Sequence, residues 1–207
     1  MNTAIIGLGN MGKGLAKRLA GQTELTVASR DAAATNAFAA GLKNTKSASV
    51  SDAVAGADIV ILALPYAAAL EAAGMPALKG KIVVDISNPV KPDFSGLSIG
   101  HTTSAAEEIQ AAAKGAHVVK AFNTIFAGLF DGHVVSTKSV PVFLAGNDDA
   151  SVNAVADLVL KAGFAVEKTG ALDAAKLLEP LGMLNIRFGY GLGRGTAIAP
   201  NWVAVAA

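Results

Sequence analysis

The stretch Ala4-Ile5-Ile6-Gly7-Leu8-Gly9-Asn10-Met11-Gly12 restricts the possible folds more than any other part of the chain. An apolar run enters Gly-x-Gly-x-x-Gly, and beyond it Gly12, Leu15, Ala16 and Leu19 fall at i, i+3, i+4 and i+7. The run has the character of a buried parallel strand, and the spacing after it gives a helix one apolar face to press on a sheet. Strand, glycine turn and helix in this order open a βαβ unit in which each glycine has a task. Gly7 makes the tight turn, Gly9 lets the backbone approach a phosphate, and Gly12 lets helix and strand pack closely. Free N–H groups at the helix start, with the helix dipole behind them, suit the pyrophosphate of a dinucleotide. Gly7, Leu8, Gly9, Asn10, Met11 and Gly12 are therefore expected to border that ligand.

The alternation continues along the chain. A second strand, Glu24–Ala28, ends in Ser29, Arg30 and Asp31, where a dinucleotide fold reads the adenosine ribose. Ser29 can donate to a 2′-phosphate and Arg30 can pair with it, which favours NADP over NAD. Asp31 reads either as a displaced ribose-binding acid or, the favoured alternative, as the N-cap of a helix over Ala32–Ala40. A weak strand over 45–49 leads to a short helix with Ser51 as N-cap and Gly56 at its end. The apolar block 59–64, stopped by Pro65, forms a fourth strand beside the first, so Leu64, Pro65 and Tyr66 border the crevice; Tyr66 reads equally as the start of the next helix.

A fifth strand, 81–85, places Asn88 where its amide can meet a nicotinamide or a substrate, while Asp85 is expected to bond the backbone of its own turn. Residues 90–102 read as a surface loop, and Ser104 and Glu107 as a capping box for a helix to Lys114. A sixth strand, 117–122, ends in Asn123, Thr124 and Ile125, small groups expected to face the crevice. A seventh strand over 141–145, a helix over 150–162 and an eighth strand, Ala165–Lys168, complete the set. The fold class that follows is α/β: a Rossmann doubly wound, mostly parallel sheet of about eight strands with a C-terminal helical extension. Residues 1–168 form the dinucleotide-binding domain, and 169–207 an extension that serves dimerisation or caps the site. Within it, 171–188 reads as one apolar helix interrupted by Pro180 and Gly182. The glycines from 189 to 195 follow no strand and precede no helix, so they are not a second phosphate loop.

Composition closes off other classes. A hydrophobic content of 52% with 16% charged residues supports a large core. The mean hydropathy of +0.47 raises the question of a membrane protein. The longest apolar block is nevertheless far short of the ~20 residues that a spanning helix needs. Net charge is +1, with 17 basic and 16 acidic residues scattered along the chain, so no nucleic-acid surface is expected. Without cysteine there are no disulfides, thiolate metal sites or cysteine nucleophiles. The first strand begins at once, which leaves no room for a signal peptide, and the expected location is cytoplasmic.

His101, His117 and His133 show no metal spacing, and only His101, in the loop, is a candidate for touching substrate. A reductase of carbonyls needs a positioned general acid, usually from a second domain. The mostly apolar residues after the eighth strand offer little of that kind. An acceptor that needs only hydride and alignment, such as a flavin-like ring, fits better.

Taken together, Gly7 to Gly12, Ser29-Arg30, Leu64-Pro65, Asp85-Ile86-Ser87-Asn88-Pro89, Lys120-Ala121-Phe122-Asn123-Thr124-Ile125 and Leu184-Asn185-Ile186-Arg187-Phe188 resemble the NADPH-dependent deazaflavin (coenzyme F-420) reductase family. The resemblance spans essentially the whole chain. Its most specific part, Lys120 to Thr124, is also similar to the cytosolic domain of the six-transmembrane epithelial antigen metalloreductases, where NADPH reduces a flavin. The resemblance implies NADP held by the glycine loop and by Ser29 and Arg30. It further implies an acceptor ring stacked on the nicotinamide near Asn123, Thr124 and Ile125, and a homodimer whose C-terminal helix helps build the site. Two positions depart from the archaeal enzymes, which carry a histidine where Asn123 stands and a threonine where Leu8 stands.

The expected function is thus hydride transfer between NADPH and a deazaflavin or flavin acceptor, a small-molecule redox partner, with no metal. Two alternatives stand beside it: an imine or hydroxy-acid reductase whose general acid comes from a partner subunit, and a non-catalytic NADP sensor.

Overall fold

The computed structural model describes residues 1–131, 137–203 and 205. Its centre is one sheet of eight strands in the order β3-β2-β1-β4-β5-β6-β7-β8. The strands are β1 Asn2–Ile6, β2 Glu24–Ala28, β3 Thr45–Ser47, β4 Ile59–Leu62, β5 Ile82–Asp85, β6 His117–Lys120, β7 Pro141–Gly146 and β8 Ala165–Lys168. Between them run the helices α1 Asn10–Leu19, α2 Ala32–Ala40, α3 Val50–Gly56, α4 Tyr66–Ala73, α5 Ala105–Ala112, α6 Asp149–Lys161 and, after the sheet, α7 Ala175–Ile186. Among the described residues no helix is long and apolar enough to cross a membrane.

The central strands read as continuous apolar runs because both their faces are covered. Ile5, Val27, Ile61, Val84 and Val119 point to one side, where Leu15 and Leu19 of α1 and Val155 and Val159 of α6 meet them. Ala4, Ile6, Val60, Leu62, Val83 and Val118 point to the other, against Val54 of α3, Ala69 of α4 and Ile109 of α5. The chain runs outward from β1 to β3 and returns to place β4 on the other flank of β1. The crevice between the carboxyl ends of β1 and β4 is therefore the switch point at which ligands enter such sheets.

β7 is antiparallel to β6 and joined to it only through Val119↔Gly146 and Lys120↔Ala145. The link from β6 contains the 3₁₀ turns Ala127–Phe130 and Thr137–Ser139 and no α-helix among its described residues. A parallel neighbour needs a crossover, usually a helix, to return the chain to the starting edge; without one, β7 runs back. β8 then pairs parallel to β7 through the α6 crossover.

Side-chain caps fix most helix starts. Asp31 Oδ1 accepts from the Ala34 N–H at 2.9 Å, so the carboxylate is spent as the N-cap of α2. Ser104 accepts from the Glu107 N–H at 3.2 Å at the start of α5. The cap of α3 is Ser49 and not the expected Ser51, because Ser49 is the last extended residue and accepts from the Asp52 N–H at 3.1 Å. The C-terminal helix also differs from expectation. A 3₁₀ turn, Leu172–Ala174, precedes α7, and a π-helical turn, Arg187–Gly191, extends it past residue 188. Gly189 is thus helical, and a Cβ there would lie 2.6 Å from the Phe126 ring. Leu172 and Ala175 join the core on the α3–α5 side, so this segment packs into the sheet assembly.

Candidate active site

At the switch point two of the glycines, Gly7 and Gly12, show why no other residue serves. Gly7 has φ +103°, and a Cβ on it would lie 2.4 Å from the Ala63 carbonyl oxygen. A Cβ on Gly12 would lie 2.0 Å from the Gly7 carbonyl oxygen, so α1 starts as close to the β1 turn as a backbone allows. Gly9 is the opposite case: its Cβ would meet nothing within 4 Å. Gly9 is also the N-cap of α1, which has no side-chain cap and no acidic residue in its first turn. The first N–H groups of α1 thus face the open side of the loop unspent by any cap, the arrangement that a phosphate completes. Asn10 is exposed beside them, while Leu8 and Met11 pack onto the core beneath.

At the end of β2, the Ser29 and Thr35 hydroxyls lie 2.7 Å apart and both donate to the Asp31 carbonyl. Arg30 is exposed and makes no hydrogen bond or ion pair among the described residues, so its guanidinium is free for a ligand anion. On the other flank Leu64 leans on Gly7, Pro65 precedes α4, and Tyr66 is its first residue. The reading of Tyr66 as the start of the next helix is the one seen. Its hydroxyl donates to Glu108 of α5. Burial, that hydrogen bond and the charges of Glu108, Glu179 and Asp85 hold the phenol well above its usual pKa, so it stays neutral.

The ends of β5 and β6 hold a group of charges that sequence reasoning missed. Lys120 is 0% exposed and donates to Asp85 Oδ2 at 2.8 Å, Glu179 Oε1 at 2.8 Å and the Ser87 carbonyl at 2.6 Å. Asp85 Oδ1 accepts from the Ser87 N–H at 2.9 Å, the expected turn bond, but its other oxygen belongs to the ion pair. Glu179 also accepts from the Ala105 and Ala106 N–H groups, at 3.0 and 3.2 Å, at the start of α5. One signal was available: β5 and β6 each finish an apolar run on an opposite charge, and parallel pairing sets Asp85 beside Lys120.

Asn123, Thr124 and Ile125 are 6%, 1% and 5% exposed, beneath α7 and not at an open crevice face as expected. The physical reason is that the chain leaves β6 here, with Phe122 at φ +58°, and α7 satisfies the polar groups that no strand pairs. Asn123 Nδ2 donates to the Leu178 carbonyl at 2.9 Å and to Asn88 Oδ1 at 3.0 Å, and Asn88 Nδ2 returns a bond to the Asn123 carbonyl at 2.7 Å. Asn185 Nδ2 donates to the Thr124 carbonyl at 3.0 Å. Gly182 lets α7 seat on this pair, since a Cβ there would lie 2.8 Å from the Asn123 carbonyl and from Asn88 Nδ2. Asn88 is the half-buried member, nearer to solvent than Asn123.

One turn on from Gly182, a cavity of about 730 Å³ opens between the 90–102 loop and the end of α7, lined by Phe94, Met183, Ile186, Arg187 and Tyr190. Arg187 is exposed and unpaired among the described residues. His101 is exposed in the same loop, His117 is exposed at the start of β6, and His133 lies outside the described residues. Among the described residues no cluster of His, Cys, Asp or Glu could hold a metal ion.

A glycine loop feeding an uncapped helix at the switch point of an open parallel sheet defines a Rossmann dinucleotide-binding protein. Residues 2–89 match the family of coenzyme F-420-dependent NADP oxidoreductases. A solved protein of Arthrobacter sp. FB24, to which F-420-dependent NADP-reductase activity is attributed, is 34% identical over 95% of this chain and 96% of its own, with a TM-score of 0.82. A hypothetical protein of Sinorhizobium meliloti is 32% identical, with 84% and 88% coverage and a TM-score of 0.76. A reductive aminase of Aspergillus terreus, solved with NADPH4, cyclohexanone and allyl amine, shares the fold at 22% identity and a TM-score of 0.68; the match covers 93% of this chain and 62% of that one. The chain belongs to the coenzyme F-420-dependent NADP oxidoreductase family and is an NADP-dependent oxidoreductase.

The glycine geometry separates two substitutions. Gly12→Ala is expected to cost about 1–3 kcal/mol through overpacking against Gly7, whereas Gly9→Ala changes stability by less than about 0.5 kcal/mol. Urea denaturation of the two variants measures this, and equal losses would contradict the geometry.

Proposed function

We propose that the protein passes a hydride from NADPH to a planar ring acceptor, a deazaflavin such as coenzyme F-420 or a flavin. The cavity between the 90–102 loop and the end of α7 carries this reading: two aromatic side chains, two apolar ones and the free cation of Arg187 suit a flat ring with an anionic tail. The acid–base groups nearby support it, because Tyr66 is bound to Glu108 and all three Lys120 protons are spent inside the fold. NADPH supplies the hydride, and the ring takes it up without a protein acid. The chain's own residues bind and align. The Gly7–Gly12 loop and the α1 N-terminus hold the pyrophosphate, and Arg30 holds the 2′-phosphate together with Ser29, whose hydroxyl turns to it from the Asp31 carbonyl. Leu64, Pro65 and Tyr66 wall the crevice, and Asn88, with Asn123, Thr124 and Ile125 behind it, sets the floor at the reacting end. Donor and acceptor rings must lie within about 3–3.5 Å for transfer, so alignment supplies much of the rate.

In the same proposal, residues 169–207 extend the 1–168 domain to form a homodimer. Leu177, Leu181 and Leu184 recur at i, i+4 and i+7 on α7, with Leu177 74% and Leu184 46% exposed. Leu177 and Leu181, with Phe143 and Trp202, line a second cavity of about 630 Å³. An apolar row of this kind on a single chain suits a second copy.

Arg30→Ala is expected to weaken NADPH binding by about 1.5–3 kcal/mol and leave NADH binding unchanged; fluorescence titration measures both, and equal loss refutes the 2′-phosphate assignment. NADPH oxidation is expected with deazaflavin or flavin and not with imines or ketones. Turnover of imines or ketones would move the protein to a carbonyl-type reductase, and tight binding without turnover to a sensor. Leu177→Glu with Leu184→Glu should convert a dimer to a monomer in sedimentation velocity; an unchanged mass places the interface elsewhere.

A further inference from the structure

Lys120 belongs to a closed ring of contacts. It donates to the Ser87 carbonyl; Ser87 adjoins Asn88; Asn88 and Asn123 exchange two hydrogen bonds; Asn123 donates to the Leu178 carbonyl; Leu178 adjoins Glu179; and Glu179 returns to Lys120. The ring ties together the turn after β5, the segment after β6 and the middle of α7. Its centre is one ammonium between two carboxylates, with exposures of 0%, 0% and 1%. Buried ion pairs rarely stabilise a fold better than apolar residues of the same volume, so stability alone gives little reason for this arrangement. Fixed geometry does. The second carboxylate is tolerated because the Ala105 and Ala106 N–H groups at the start of α5 also face Glu179.

We propose that Lys120 is a positioning residue for hydride transfer: by clamping the Ser87 carbonyl and Glu179, it sets the depth of the Asn88–Asn123 floor against which the nicotinamide end of the cofactor rests. The role presupposes the nicotinamide placement proposed above. Lys120 itself touches no ligand. The grip on the rest of the cofactor lies at the glycine loop and Arg30, on other strands, so losing the clamp misplaces the ring without releasing the cofactor.

The test separates folding from alignment. Lys120→Met alone strands two carboxylates and is expected to lower both thermal stability and turnover. The neutral triple variant Lys120→Met/Asp85→Asn/Glu179→Gln keeps an acceptor for the Ser87 N–H and for one of the Ala105 and Ala106 N–H groups, and is expected to regain stability over Lys120→Met. Its kcat is expected to stay about tenfold or more below the parent, while the Kd for NADPH stays within about twofold. The fluorescence lifetime of bound NADPH, which needs no acceptor, should shift in the triple variant. Recovery of kcat and lifetime together with stability would overturn the proposal and leave Lys120 a purely structural residue. Should the triple variant fail to fold, Glu179→Gln alone leaves Lys120 one carboxylate and keeps one of the two α5 bonds, and should show the same signature at about threefold; a parental kcat and lifetime there overturns the proposal as well. If the parent reduces no ring acceptor, the function proposed above fails, while the lifetime arm still decides the role of Lys120.

Discussion

The approach of Gly12 to the Gly7 carbonyl is the contact on which the rest depends. With no side chain on either residue, α1 begins directly above the turn leaving β1, and its first N–H groups converge on open space at Gly9. A single methyl at Gly12 would push the helix away and take with it Leu15 and Leu19, which anchor one face of the sheet. Core packing and ligand geometry therefore share one constraint. The α1 N-terminus keeps no cap of its own, whereas Asp31, Ser49, Ser104 and Asp148 cap α2, α3, α5 and α6.

The opposite end of the crevice is held by different physics. There the strand ends are polar, and side chains from α7 satisfy them. Glu179 meets Lys120 and the α5 start, Asn185 meets the Thr124 carbonyl, and the Leu178 carbonyl meets Asn123. The crevice thus lies between a rigid glycine turn that leaves backbone donors open and strand ends tied to α7 by buried charge. Ser87 Oγ, Asn123 Oδ1 and Thr124 Oγ1 are buried there without a partner among the described residues.

Local signals in the sequence were strong enough to mark the strands, the place of the fourth beside the first and the glycine loop, and to favour the capping role of Asp31. Each is written in periodicity or in residue type over a few positions. Features that depend on long-range contacts were not legible. The antiparallel run of β7 follows from a link without a crossover helix, and no residue within β7 announces it. Asn123 and Thr124 looked like crevice residues because they end a strand; α7, some sixty residues further on, covers them. The Lys120 ring needs the register of β5 against β6 and the seat of α7, neither of which is local. For Asp85 the turn bond was legible, while its second oxygen answers to a lysine on another strand.

The dependence of the strand ends on α7 bears on how the chain matures. All eight strands leave the ribosome before α7 does, so for that interval Lys120 and Asp85 sit beside a missing carboxylate, and the α5 start lacks two acceptors. The ends of β5 and β6 therefore lack, until α7 is made, the partners that Glu179, Asn185 and the Leu178 carbonyl give them. Arrival of the final helix closes the ring of contacts, so a nascent chain that has acquired its glycine loop still waits for α7 before these strand ends take their final arrangement.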